Sequence, residues 1–360
     1  MTGDLTIPDL RGLVLTVDGP VDPAALGPTL MHEHLFLDIG RPAHKRSAAA
    51  TSPDARRPLN LATISGVRLG APNRDNDIMG DLGEMIDEVA EFRRAGGGAI
   101  VEVSSLGLAR DPLALRRLSR ASGLHVVMGA GWYERTFHPV DMADRSVDEL
   151  TATLVNDIVS GADGTGVRAG IIGEVGVEGN PLHPDELASV RASGRASAIT
   201  GAPITFHFGG HKEEKFEVLD ILEEEGADLA HVVMGHTGDL AFDIAFARRL
   251  LARGVFMELD YLGAPGSPWG YLWPFNDRTL ARGLVELVAE GFAPHIVLGH
   301  DVCTKLQLKK YGGRGFDYIL EHFLPEAVRL GLPPEAIHTM LVDNPARALA
   351  FGSPRAGGAA

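Results

Sequence analysis

Two histidines one residue apart, His32 and His34, sit between the apolar runs Gly27-Pro28-Thr29-Leu30-Met31 and Leu35-Phe36-Leu37-Asp38. Side chains on a β-strand alternate faces, so residues i and i+2 share one. A strand ending in two same-facing imidazoles offers two nitrogen donors to one metal ion. The pair alone fits an incidental spacing equally well. Glu174, His207, His236 and Asp301 shift the balance, because each also stands at the C-terminal end of its own apolar run.

Positioning six such residues requires a repeated strand–helix rhythm. Short apolar strands are expected at Leu30–His34, Ala99–Val103, His125–Met128, Ala169–Glu174, Pro203–His207, His231–His236, Val255–Leu259 and His295–Gly299. They are continuous rather than alternating, as parallel strands covered on both faces are. Helical spacing fills the gaps. Leu82, Met85, Ile86, Val89 and Phe92 lie on one face before Gly96-Gly97-Gly98, and Ser146 with Glu149 forms a capping-box signature ahead of Leu150, Leu154 and Ile158. Eight strand–helix units in one chain point to an α/β fold, a (β/α)8 TIM barrel, whose catalytic residues come from the C-terminal ends of its strands. An open doubly wound sheet is the alternative, but no Gly-x-Gly-x-x-Gly follows the first strand. The whole chain, 1–360, reads as a single domain. Residues 10–28 form a small β preamble, 40–80 a long polar loop after strand one, and 352–360 a frayed tail.

With 360 residues, 45% of them hydrophobic, the chain can bury a large core. A net charge of −15 excludes a phosphate-binding basic face and hence a nucleic-acid partner. The one cysteine, Cys303, permits no internal disulfide and reads as buried packing. No signal-peptide pattern and no membrane-length apolar run is present, so a cytoplasmic protein is expected.

The order of these residues resembles the amidohydrolase superfamily and, within it, the phosphotriesterase-like family. The resemblance runs from Thr29-Leu30-Met31-His32-Glu33-His34 to Asp343-Asn344-Pro345 and is most specific at Gly173-Glu174-Val175-Gly176, Met234-Gly235-His236-Thr237-Gly238-Asp239 and Gly299-His300-Asp301. Tyr311-Gly312-Gly313-Arg314-Gly315 looks like the phosphotriesterase-related branch, which includes hydrolases of N-acyl amino acids. The resemblance implies two divalent ions, zinc foremost with manganese, cobalt or iron as alternatives. His32, His34 and Asp301 would hold the more buried ion and His207 with His236 the more exposed one. Many relatives bridge the pair with a carboxylated lysine; here Glu174 occupies that position and would serve as the bridge, a departure that argues against the lysine-bearing lactonase and phosphotriesterase groups. A metal-bridging hydroxide would attack, and Asp301 would act as the catalytic general acid–base.

Around that centre the readings divide. Asp239 matches an acid that relays protons in relatives, but the usual histidine after Asp260 is replaced by Tyr261, and Asp239 reads equally as a helix N-cap. Tyr261 is either a substrate-facing phenol or core packing. Trp132 and Tyr133 form either a pocket wall or ordinary packing. Lys305 and Arg314 follow the last strand, where barrels bind anions, and would receive a substrate anion unless they are simply solvated. Arg74, in the 40–80 loop, is a further candidate to reach the site from above. Strand alternation turns His300 away from Asp301. The expected function is hydrolysis of a carboxylic ester, lactone or N-acyl amide in a small anionic substrate. Phosphotriester hydrolysis at the same site and a non-catalytic metal- or ligand-binding barrel are the alternatives. A homodimer with a small-molecule substrate, and no nucleic-acid or membrane partner, completes the expectation.

Overall fold

The computed structural model describes residues 6–40, 52–208, 210–264 and 276–355. Eight parallel strands pair in sequence order: β1 (Thr29–Glu33), β2 (Ala99–Glu102), β3 (His125–Ala130), β4 (Ile171–Gly176), β5 (Ile204–His207), β6 (Val232–Met234), β7 (Phe256–Leu259) and β8 (Ile296–Leu298). The chain beyond β8 closes the sheet onto β1, with Asp301 N donating to His32 O at 3.0 Å and His34 N to Val302 O at 3.2 Å. The protein is therefore a TIM barrel, and its closing seam runs through the residues singled out for metal chemistry.

Every strand is apolar on both faces because each face has its own core. Met31, Val101, Val127, Ile171, Val233, Phe256 and Val297 form one buried cluster with Val14, Leu26, Ala348 and Leu349. The first seven are alternate residues of seven different strands and fill the barrel. Their sequence neighbours Leu30, Ile100, Val126, Ile172, Val232, Met257 and Leu298 belong to a second cluster packed against the helices. Burying each such side chain contributes roughly 1.5–3 kcal/mol, so a register slip in any strand would be costly on both sides.

Seven helices follow strands one to seven: α1 (Leu82–Arg94), α2 (Pro112–Ser122), α3 (Val147–Val159), α4 (Pro184–Thr200), α5 (Glu214–Glu225), α6 (Ile244–Leu251) and α7 (Asp277–Ala289). Short polar side chains set their starts: Asp81, Asp111, Asp243 and Asn276 each accept from a first-turn backbone N–H, and Ser146 with Glu149 completes the expected capping box. None of the described helices is long and apolar enough to cross a membrane.

The preamble is a hairpin of Val14–Thr16 and Gly19–Val21. The long loop is partly built structure: Leu37–Asp38 pairs with Ile78–Met79, and Asp75 and Asn76 tie it to the segment after β8 through Lys305 and Leu306. Part of the expected frayed tail, 352–355, is held by backbone hydrogen bonds. Gly352 N donates to Gly201 O and Arg355 N to Ala198 O, while 356–360 lie outside the described residues.

Asn344 fastens the C-terminal helix (Asn344–Leu349) to the barrel. Its amide nitrogen donates to Ala293 O at 2.7 Å and Ile296 O at 2.6 Å, at the entry to β8. Asn344→Ala leaves two carbonyls without that donor and is expected to cost about 2 kcal/mol of stability, read as a lower urea midpoint at an unchanged slope.

Candidate metal centre

Local irregularities in the strands aim the donors. In β1, Leu30 faces Ile100 but Glu33 faces Glu102, so one extra residue is inserted between them; in β4 the same shift separates Ile172 from Val175. Such bulges bend a strand and redirect its side chains, and these two bracket His32 and Glu174. Glycine makes room at the seam: a Cβ on Gly299 would lie 2.9 Å from the Cβ of His32. Past the ends of β5 to β8, Phe208, His236, Tyr261 and Asp301 all hold positive φ, between 53° and 61°. For a residue with a side chain this costs roughly 1–2 kcal/mol, and it persists where surrounding contacts over-determine it.

The six predicted donors converge and are all buried. Glu174 divides its oxygens: Oε1 lies 3.3 Å from His34 Nε2, while Oε2 lies 3.2 Å from His32 Nε2 and 3.0 Å from His207 Nδ1. His34 Nε2 is also 3.3 Å from Asp301 Oδ1, and His236 Nε2 is 2.8 Å from His207 Nδ1. Among the described residues three overlapping groups could each hold an ion: His32, His34 and Asp301; His32, Glu174 and His236; and His32, Glu258 and Asp260, with donor atoms in each group within 4.8 Å of one another.

The opposite ring nitrogens are engaged elsewhere. His32 Nδ1 lies 3.0 Å from Glu258 Oε2, His34 Nδ1 2.9 Å from Ser104 Oγ, and His236 Nδ1 2.8 Å from Asp260 Oδ2. His207 Nε2 lies 3.3 Å from the Tyr133 hydroxyl and 3.4 Å from Glu178 Oε1. A carboxylate or hydroxyl behind a histidine fixes its tautomer and turns the other nitrogen's lone pair inward, the arrangement found around metal-bound imidazoles. Two inward lone pairs cannot face each other at 2.8 Å without a proton or a cation between them. A proton serves in the metal-free chain: burial opposes protonation of His207, yet Glu174 prevails and raises its pKa to about 9. A metal cation fits the same donor set and leaves every ring neutral. Burial also lifts Glu258 and Asp260 to about 7, the cost of desolvating carboxylates packed together.

The outer residues sort differently. Tyr133 reaches the centre beside His207, and Tyr261 stacks on His236 with ring centroids 4.6 Å apart. Trp132 is fully buried under the guanidinium of Arg145, so it packs rather than forming an open wall. Asp239 is exposed in the turn Gly238–Phe242, whose N-cap is Thr237, and Asp260 rather than Asp239 is the carboxylate against His236. Lys305 pairs with Asp75 at 2.6 Å, Arg314 with Asp277 and Tyr318, and Arg74 with both oxygens of Asp38. None of these three cations is left without a protein partner. His300 does face away from Asp301, onto Glu33.

The sequence reading missed Glu258, Asp260, Ser104 and Glu33. The signal was present in Glu258-Leu259-Asp260, where the i and i+2 rule used for His32 and His34 applies at the end of β7. Glu258→Gln removes the negative charge behind His32, and one of the two acceptor oxygens, while keeping its shape. It is expected to weaken zinc affinity by 10- to 100-fold, measured by chelator competition, with an unchanged circular dichroism spectrum.

The phosphotriesterase family profile matches residues 12–349. N-acetyltaurine hydrolase of Tetraodon nigroviridis is 34% identical over 349 residues, covering 95% of this chain and 99% of that protein; the Homo sapiens N-acetyltaurine hydrolase is 32% identical with the same coverage. Among solved structures, a resiniferatoxin-binding protein from Rhodobacter sphaeroides superposes with a TM-score of 0.86 at 36% identity, covering 98% of this chain and all of that one. The phosphotriesterase homology protein from Escherichia coli, complexed with phosphate in its active site, gives 0.74 at 26% identity, covering 91% of this chain and all of that one. A barrel of this closure, six donors at its strand ends and a match along nearly the full length lead to one conclusion: the chain belongs to the phosphotriesterase family and is a hydrolase.

Proposed function

We propose that this hydrolase uses two divalent ions to cleave the amide bond of a small N-acylated amine carrying a sulfonate or carboxylate, with N-acetyltaurine the first candidate. One coincidence carries the reading: similarity over 95% of the chain to N-acetyltaurine hydrolases, together with a buried donor cluster whose imidazoles are oriented from behind. The buried carboxylates Glu174, Glu258, Asp260 and Asp301 supply negative charge to balance bound cations.

His32, His34 and Asp301 would hold one ion, His207 and His236 the other, and Glu174 would give one oxygen to each. Bound there, the ions supply a water of lowered pKa and an electrophilic partner for the scissile carbonyl. Asp301 takes a proton from the attacking water at a carboxylate oxygen and passes it to the leaving amine nitrogen. Tyr133 and Tyr261 bound the reacting space. Burial pushes both phenols well above their ordinary range, so they stay protonated donors at neutral pH. Because Asp75 and Asp277 already hold Lys305 and Arg314, a substrate anion would compete with those carboxylates.

Phosphotriester hydrolysis is the second reading, favoured by the phosphate in the active site of the Escherichia coli relative. Lactone cleavage involves the same carbonyl attack and stands between the two. Zinc- or manganese-loaded protein assayed on N-acetyltaurine, N-acyl amino acids, aliphatic lactones and a phosphotriester separates them. The N-acyl panel is expected to lead by at least about 100-fold in kcat/KM; lactones or triesters in first place would overturn the assignment. Glu174→Ala is expected to lose one of two metal equivalents and lower kcat by more than about 10³-fold. Full activity with two ions bound would rule out the bridge.

A further inference from the structure

Asp301 is held in place from β1. Three consecutive backbone N–H groups around it are captured there: His300 N donates to Glu33 Oε1 at 2.8 Å, Asp301 N to His32 O at 3.0 Å, and Val302 N to Glu33 Oε2 at 3.1 Å. The two oxygens of Glu33 thus bracket the residue whose φ is +53°. Glu33 also lies 2.7 Å from His300 Nδ1, while Ile319 N donates to His300 Nε2 at 3.2 Å. A ring nitrogen that accepts carries no proton, so His300 donates from Nδ1 to Glu33. Glu33 therefore receives three hydrogen bonds, is fully buried, and has both oxygens occupied. From the other side Gln307 Nε2 donates to Asp301 O at 2.7 Å.

We propose that Glu33 is the positioning residue of Asp301: it sets the left-handed turn that carries the Asp301 carboxylate to the ring nitrogen of His34. The inference rests on the assignment of Asp301 as a metal-holding acid–base, and deepens it. The middle residue of His32-Glu33-His34 is not a spacer between two ligands. Its side chain leaves the strand on the opposite face and orders the ligand arriving from β8, across the closing seam of the barrel. One tripeptide thereby fixes donors at both edges of the sheet. In Glu33→Gln, one carboxylate oxygen becomes an amide NH₂, which sets donor against donor at either the 300 or the 302 backbone N–H.

The test is a cycle of wild type, Glu33→Gln, Asp301→Asn and the double variant, each measured for zinc affinity by chelator competition and for kcat and KM on the best substrate of the panel. If Glu33 acts through Asp301, the single Glu33→Gln change weakens zinc binding by about 10-fold and lowers kcat by 10- to 100-fold with KM within about twofold. In the Asp301→Asn background the same change then adds less than about twofold to either loss. Losses that multiply in the double variant, or a single variant indistinguishable from wild type, would overturn the proposal. Should Glu33→Gln fail to fold, Glu33→Asp keeps the charge one methylene short, and the same cycle is run with it. Zinc affinity needs no substrate, so an empty substrate panel would count against the amide reading alone. If the wild type bound no divalent ion, amide exchange would decide: loss of protection confined to 300–302 in Glu33→Gln sustains the positioning role, and unchanged protection there overturns it.

Discussion

The structure depends on compensating charge inside a closed, water-poor barrel end. Glu174, Glu258, Asp260 and Asp301 are buried within reach of four imidazoles. Isolated carboxylates in such a place would each cost several kcal/mol, and burial, only partly offset by His32, raises Glu258 and Asp260 to about 7. The arrangement holds together when positive charge enters it. Protons on the imidazoles provide some; divalent cations provide more and leave the rings neutral. In the proposed mechanism the charge that satisfies this buried polar cluster is also the charge that activates water.

The rest of the fold serves that cluster by layers. The interior column of Met31, Val101, Val127, Ile171, Val233, Phe256 and Val297 supports it from below, closed off by Leu26 and Leu349. Carboxylates one step behind the donors hold the rings: Glu258 behind His32 and Asp260 behind His236. Among the described residues, four of the six non-glycine positions with positive φ leave β5 to β8, where Phe208, His236, Tyr261 and Asp301 take left-handed conformations. Strain of that kind survives because hydrogen bonds such as His236 N to Asp260, at 2.8 Å, fix the turn. A rigid β-scaffold thus presents donors on short, over-determined turns rather than on long loops.

Much of this was legible in the sequence. Continuous apolar runs located all eight strands, because a parallel strand buried on both faces has no polar alternation to confuse the reading. The six donors followed from their places at strand ends. What stayed hidden was pairing between distant segments. Lys305 and Arg314 read as anion receptors or solvated cations, and neither reading contained their pairing with Asp75 and Asp277, partners separated by 230 and 37 residues. Asp239 drew attention because it follows His236 closely, yet Asp260, from the next strand, supplies the contact. Period-two spacing at Glu258-Leu259-Asp260 held the information, but whether those carboxylates face the barrel or the helices is decided by register. Trp132 shows the same limit: an aromatic at a strand end is a wall or a core residue according to what lies over it, and here Arg145 does.

Anomalous diffraction from crystals grown with zinc tests the central claim most directly. The account predicts two peaks, one among His32, His34 and Asp301 and one beside His207 and His236, with the Glu174 carboxylate between them. A cluster without anomalous density at saturating zinc, or density held by residues outside these six, would contradict it.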